Sequence, residues 1–395
     1  MPSFTVVQLI KVKIVLILVV TLNLSDLHAQ ALGWVDKKTS ALIPPIYNSV
    51  TYERDPDNSY SNGFIYSRNA NPTSQQLERL LAELETGKDA IVLASGMSAA
   101  TATFMTLKSG DHVVAQSVMY WAIKKWLIGF ANQWGISVDL FDPEDTTSLK
   151  KLIRPGETKL VWIETPANPT FSCVDIAEVA KIVKGSGARL CVDSTIATPI
   201  LTKPIELGAD VVMHSATKYL NGHGDVTAGV LITAHDDEWW KQVRDIRSSH
   251  GKILSPSDAW LLLRGIRTLD LRVRQSSKSA MAIAKHFDSN SKIIEVLYPG
   301  LDNTLTHDIA NKQMEGGFGG MLSIRFKGGQ LRAVEIAAKL KMFKRATSFG
   351  GVESLVEHRA SIEGEGTLVP DDLLRFSVGI ENVDDLIGDL EQAIS

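Results

Sequence analysis

The chain has 395 residues, 44% of them hydrophobic, and a formal net charge of -4, which is enough to bury a large core divided among two or three domains. Charges of both signs are mixed throughout, without a basic patch or a polyacidic tail, so nucleic acid is excluded as an expected partner. The two cysteines, Cys173 and Cys191, lack metal-type spacing, and Cys191 lies in the apolar run Leu190-Cys191-Val192, where a buried thiol is expected.

At the amino terminus an aliphatic run over residues 14–20 follows Lys11 and Lys13 and precedes Ala29-Gln30-Ala31, which together imitate a weak secretory signal. The run is too short for a membrane span, which needs about 20 apolar residues. The remainder reads as a cofactor enzyme without disulfides, so residues 1–31 are expected to extend a cytoplasmic chain; an amphipathic leader or an export signal are the alternatives. Residues 32–74 are rich in Pro, Asn, Ser and Tyr with little periodicity, and read as an extended arm of the kind that wraps a neighbouring subunit. Within it, Tyr66 and Arg68 are two residues apart, so in an extended segment both project on one face. Arg68 suits a phosphate, although an arginine near a turn is also commonly a solvated charge.

An alternation of helix and strand follows. Leu77, Leu80, Leu81 and Leu84 have helical spacing, with Thr73 or Ser74 as N-cap and Gly87 as a stop. A short strand at 90–93 leads to Ser95-Gly96-Met97-Ser98, which opens a second helix. Small residues there would bring free backbone N–H groups to an anion, or would serve close helix–strand packing equally well. Strands are predicted at 112–115, 137–140, 159–165 and 189–193, with helices between them such as 176–184. This pattern predicts a large, doubly wound, mostly parallel sheet, in which ligands gather at the carboxyl ends of the strands.

The residues able to carry chemistry fall at those ends. Asn168 follows one strand and Asp193 closes another; a carboxylate there is costly unless a cation or donor meets it, and a loop-capping role is the plainer alternative. Val211-Val212-Met213-His214 is a short apolar strand followed by Ser215-Ala216-Thr217-Lys218, which sets one lysine beside two hydroxyls. Burial at a strand end lowers the pKa of an amine and makes it a nucleophile toward an aldehyde. Tyr120 offers a flat face and a hydroxyl. After a long helical passage over residues 260–287, a smaller α/β unit is predicted, with strands at 319–326 and 374–378 and a helix at 331–340. The expected units are thus residues 1–31, the arm at 32–74, a large domain at 75–270 and a small domain at 271–395.

A lysine, a strand-end carboxylate, an aromatic plate and phosphate-type donors match the needs of pyridoxal phosphate: an amine for the aldehyde, an acid for the ring nitrogen, fixed donors for the phosphate. From about residue 32 to its end the chain resembles the Cys/Met-metabolism pyridoxal-phosphate enzymes, the cystathionine gamma-synthase and gamma-lyase group. The resemblance rests on Tyr66-Ser67-Arg68-Asn69-Ala70-Asn71-Pro72-Thr73, Glu164-Thr165-Pro166-Ala167-Asn168-Pro169, Ser215-Ala216-Thr217-Lys218, the segment from Thr347 to Leu355, and the segment from Leu374 to Glu381. It implies the fold type I transferase architecture and assigns roles. Lys218 would anchor the cofactor, while Ser215, Thr217 and the backbone at Gly96 and Met97 would hold its phosphate. Tyr66 and Arg68 would reach the phosphate of the adjacent subunit, so the enzyme would be a dimer at least and a tetramer by family habit. Asp193 would pair with the ring nitrogen, Asn168 would lie near the ring hydroxyl, Tyr120 would stack on the ring and exchange protons, and Ser348 and Arg375 would grip an amino-acid carboxylate.

Three departures bear on substrate choice. Trp121-Ala122 stands where many members have Gly-Gly; Thr347 stands where members handling cystathionine often have glutamate; and His358-Arg359-Ala360-Ser361-Ile362-Glu363 lacks the Met-Thr-His ending common in the family. The expected reaction is gamma-replacement on O-succinyl- or O-acetylhomoserine by cysteine or another sulfur nucleophile, within transsulfuration and methionine biosynthesis. A carbon–sulfur lyase of the same family is the alternative, and a non-catalytic cofactor-binding protein a more distant one.

Overall fold

The computed structural model describes residues 24–364 and 367–395. The aliphatic run at 14–20 lies outside the described residues. Leu24–Gln30 forms a helix (α1) that packs against α2 (Pro72–Leu84) and the helix Leu269–Phe287. Ser25 Oγ donates to Asp270, Arg267 Nε donates to the Ala29 carbonyl, and Ala31 is buried. Among the described residues no helix is long and apolar enough to cross a membrane.

The large sheet comprises β1 (Asp89–Leu93), β2 (His112–Gln116), β3 (Ser137–Phe141), β4 (Thr158–Glu164), β5 (Arg189–Asp193), β6 (Val211–His214) and β7 (Gly229–Thr233), in the spatial order β1-β7-β6-β5-β4-β2-β3. Pairing is parallel from β6 across to β3; β7 runs antiparallel to both neighbours. Strands β2, β6 and β7 are buried at every residue, as expected of a sheet covered by helices on both faces. The doubly wound, mostly parallel prediction holds. Strand β7 is the unpredicted member, and it returns the chain across the sheet after the lysine loop.

Helix α2 opens with Asn71, not Thr73 or Ser74, as its cap. The Asn71 side chain accepts from Thr73 N, and Pro72, lacking an N–H, occupies the first helical position, where none is needed. The helical passage over 260–287 is two helices, Pro256–Ile266 and Leu269–Phe287, broken at Arg267 and Thr268. Leu269 and Val273 of the second pack into the core beside the large sheet; Ala280, Ile283 and Phe287 pack into that of the second sheet. This sheet contains β8 (Ile293–Leu297), β9 (Met321–Phe326), β10 (Lys344–Arg345), β11 (Leu355–Glu357) and β12 (Leu373–Ser377), in the order β10-β11-β12-β9-β8. The arm holds an isolated bridge, Thr51 to Tyr66, and exposes Leu42, Ile43, Ile46, Val50 and Ile65.

Candidate active site

Register brings the strand ends together. Glu164 pairs with Asp193 across β4 and β5, and Asp193 pairs with Met213 across β5 and β6. Beyond His214 the chain turns, with Lys218 N donating to Ser215 O at 3.0 Å and Thr217 N donating to Ala228 O at 3.2 Å. Above these ends lies a cavity of about 290 Å³. Gly96, Met97, Tyr120, Asn168, Asp193, Ser215, Thr217, Lys218, Ser348 and Arg375 all line it. Tyr66 and Arg68 do not: Arg68 stacks on Tyr66 at 5.6 Å and donates to the Ser248 carbonyl at 3.0 Å, and Tyr66 is exposed.

Lys218 Nζ donates to Ser348 Oγ at 2.9 Å and sits 5.1 Å from the centre of the Phe349 ring. Burial, followed by the positive field of Arg375, pushes its amine down to about 8, against an opposing pull from Glu357. Ser348, which accepts that hydrogen bond, has φ 155°, an angle side-chain-bearing residues rarely adopt.

Asp193 is buried, and burial raises its carboxyl; Thr195 opposes this by donating from its amide at 3.0 Å and its hydroxyl at 2.5 Å. The adjacent Glu164 is pushed up to about 8 by burial and by the field of Asp193. Its two oxygens accept from Tyr120 N at 2.6 Å and Asn168 N at 2.9 Å. Glu164 thus fixes the backbone of both motif residues. Sequence reading quoted it only as the flank of a motif; its place at the end of a buried strand, like that of Asp193, was the available signal.

Helix α3 (Gly96–Phe104) points its first turn at the lysine loop. Ser95 caps it by accepting from Ser98 N at 3.0 Å. A Cβ at Gly96 would stand 2.7 Å from Ser215 Oγ, and one at Gly229 would stand 2.0 Å from the Ser95 carbonyl. The small residues therefore do serve close packing, and that packing brings the helix's first N–H groups, which have no intrahelical partner, to the Ser215 turn. The Thr217 hydroxyl is already engaged, donating to Ala228 O and accepting from Ala228 N.

Arg375, in the buried strand β12, faces the cavity from the second sheet. It donates to Asn168 Oδ1 at 3.1 Å and Ser348 O at 3.0 Å, and pairs with Glu357 at 2.7 Å. Glu357 also accepts from Arg359 at 2.9 Å, and Arg359 reaches Glu363 at 2.9 Å. Sequence did not pick out Glu357 and offered Arg359 only within an atypical segment, because a strand end and a loop helix assemble this network. Trp121, Thr347, Arg359 and Ile362, from the three atypical segments, all line the cavity.

A buried amine of lowered pKa, a strand-end acid and a helix amino terminus behind a glycine fit pyridoxal phosphate. Comparison with known proteins agrees. The family model "Cys/Met metabolism PLP-dependent enzyme" matches residues 27–395. Cystathionine gamma-synthase of Mycobacterium tuberculosis is 40% identical over 91% of this chain and 93% of its own length. Cystathionine gamma-lyase of Bacillus subtilis is also 40% identical, over 91% of this chain and 96% of its own. The crystal structure of metB from Corynebacterium glutamicum superposes with a TM-score of 0.91 at 38% identity, covering 95% of this chain and 98% of that one.

Proposed function

This chain belongs to the Cys/Met metabolism PLP-dependent enzymes, and from that premise we propose that it performs gamma-replacement: an O-succinyl- or O-acetylhomoserine loses its ester group, and cysteine or a simpler sulfur nucleophile takes its place. The observation that carries this choice is Thr347 in the cavity wall beside Ser348. Members that handle cystathionine often have glutamate there, suited to a distal amino group, whereas threonine favours replacement by a small sulfur nucleophile that brings none, ahead of cysteine. The relatives named cystathionine gamma-synthase support the same reading. The equal identity to a gamma-lyase supports the second reading, cleavage of a carbon–sulfur bond without a thiol acceptor.

Bound pyridoxal phosphate supplies an electron sink for negative charge at the substrate α-carbon. Lys218 Nζ would hold the cofactor and, once freed, move protons at the substrate α- and β-carbons; a pKa near 8 leaves it partly neutral at physiological pH. Asp193 would face the ring nitrogen, and Asn168 would stand near the ring hydroxyl. Gly96 and Met97 amides with Ser215 and Thr217 would receive the phosphate, Thr217 after giving up its bond to Ala228. Tyr120 would cover the ring and lend its hydroxyl as acid or base. Arg375 would grip the substrate carboxylate with its planar fork, aided by Ser348.

In this reading residues 75–270 form the cofactor-binding domain and residues 271–395 bring Ser348 and Arg375 to it. The arm at 32–74 carries Tyr66 and Arg68 to a neighbouring subunit's phosphate, in a dimer that pairs into a tetramer; its exposed apolar side chains support that placement. The chain works in the cytoplasm, with residues 1–31 as an extension. The test is incubation of the enzyme with each ester, with and without cysteine or sulfide, and identification of products by mass. A thioether that requires both substrates supports gamma-replacement. Release of 2-oxobutanoate and ammonia whatever thiol is present establishes the lyase instead.

A further inference from the structure

The cavity holds a buried charge cluster beyond the cofactor residues. Glu357 Oε2 is shared between two guanidinium groups, Arg375 at 2.7 Å and Arg359 at 2.9 Å. Arg359 and Arg375 are only 1% and 3% exposed, and the Nε atom of each is buried without a hydrogen-bond partner among the described residues. Burying two arginines around one carboxylate carries a large desolvation penalty, which leaves each guanidinium receptive to a further anion. Glu363, with its side chain 13% exposed, pairs with the other terminal nitrogen of Arg359 at 2.9 Å, so the four side chains balance in formal charge while Glu357 alone is shared by both arginines.

We propose that Arg359 is a positioning residue for substrate selection: by sharing the Glu357 carboxylate, it leaves Arg375 only partly paired and able to receive the carboxylate of an incoming amino acid. Without Arg359, the Arg375–Glu357 pair is already neutral, and a substrate carboxylate approaching Arg375 meets an uncompensated Glu357 beside it. The inference rests on the proposed amino-acid substrate and deepens it, since it makes recognition of the carboxylate a property of the triad. It also gives the atypical segment at 358–363 a purpose.

The test is calorimetric titration of the holoenzyme with L-norleucine, which has no group to lose from its γ-carbon, and with L-norleucinamide, in wild type, Arg359→Met, Glu357→Gln and the double variant. Arg359→Met should weaken norleucine binding by about tenfold or more and leave the amide's binding unchanged, the scale expected when a buried charge loses its partner. The double variant should return to within about threefold of wild type, because both the orphaned charge and its neutraliser are gone. Glu357→Gln alone should bind norleucine at least as tightly as wild type; this isosteric change decides the matter if Arg359→Met does not fold. An unchanged preference for acid over amide in Arg359→Met, a double variant as weak as the single, or tenfold weaker binding in Glu357→Gln would overturn the proposal. Because the titration needs no turnover, failure to form a thioether would count against the proposed reaction without touching this result.

Discussion

Glu164 and Asp193 face each other as register partners at the ends of adjacent parallel strands, both buried, with Asp193 adding to the cost that burial puts on charge at Glu164. Glu164 is pushed up to about 8 and so keeps its proton at neutral pH. The two hydrogen bonds from Thr195 favour charge on Asp193, the member we propose to face the ring nitrogen.

A stability prediction follows from that pair. A carboxyl whose folded pKa lies above its unfolded value of 4.5 stabilises the fold fully below pH 4.5 and loses that contribution as pH rises through about 8. The melting temperature of the apoprotein should therefore fall across this window. Glu164→Gln, which cannot ionise, should flatten the fall while lowering the melting temperature at pH 5 by roughly 2–4 °C, because one of its two amide hydrogen bonds is lost. Thermal scans from pH 4.5 to 8.5 check both effects.

Cofactor capture should depend on Lys218 ionisation. With its pKa near 8, roughly a quarter of the amines are neutral at pH 7.5, against about one in a thousand for an ordinary lysine. The rate at which apoenzyme takes up pyridoxal phosphate, followed by absorbance, should rise with pH and level off just above 8. Arg375→Met removes a positive neighbour, so the midpoint should move upward in that variant.

Arg375→Lys keeps the charge but not the fork that spans Asn168, Ser348 and Glu357. Steady-state kinetics should show kcat/KM for the amino-acid substrate reduced by about 10- to 100-fold, the scale of a charge-assisted hydrogen bond. Cofactor absorbance should be retained.

Glu357 is held below the usual carboxylate range against the effect of burial, chiefly by Arg375, with Thr347 and Arg359 adding to it, and Thr347 lines the same cavity wall. A second carboxylate at 347 would favour a substrate bringing a distal ammonium group. In Thr347→Glu, the ratio of kcat/KM for cystathionine to that for the homoserine ester should rise by roughly tenfold, about 1.4 kcal/mol of discrimination. An unchanged ratio would remove Thr347 from the substrate-choosing wall.

Much of this was readable in the residues themselves. The apolar runs ending in Asp193 and His214 marked parallel strands, and ligands of such sheets sit at their carboxyl ends, so Asp193, Asn168 and Lys218 could be grouped before any coordinates. What could not be read arises from contacts between distant segments. The proton on Glu164 depends on its register with Asp193, and the Arg359–Glu357–Arg375 cluster depends on β11, β12 and a short helix (Arg359–Glu363) meeting. The cap at Asn71 was misassigned because Thr73 and Ser74 have equally good capping side chains; Pro72 at the first helical position was the overlooked signal. Strand β7 escaped because a five-residue apolar run after a loop carries no directional mark of its own.

Central to the proposed function is Lys218 as the amine that carries pyridoxal phosphate. Borohydride reduction of the purified enzyme, followed by proteolysis and mass mapping, tests this directly. The prediction is one phosphopyridoxyl group per chain, on the peptide containing Lys218, and none in Lys218→Ala. A label on another lysine, or full loss of the cofactor from reduced wild-type protein, would contradict it.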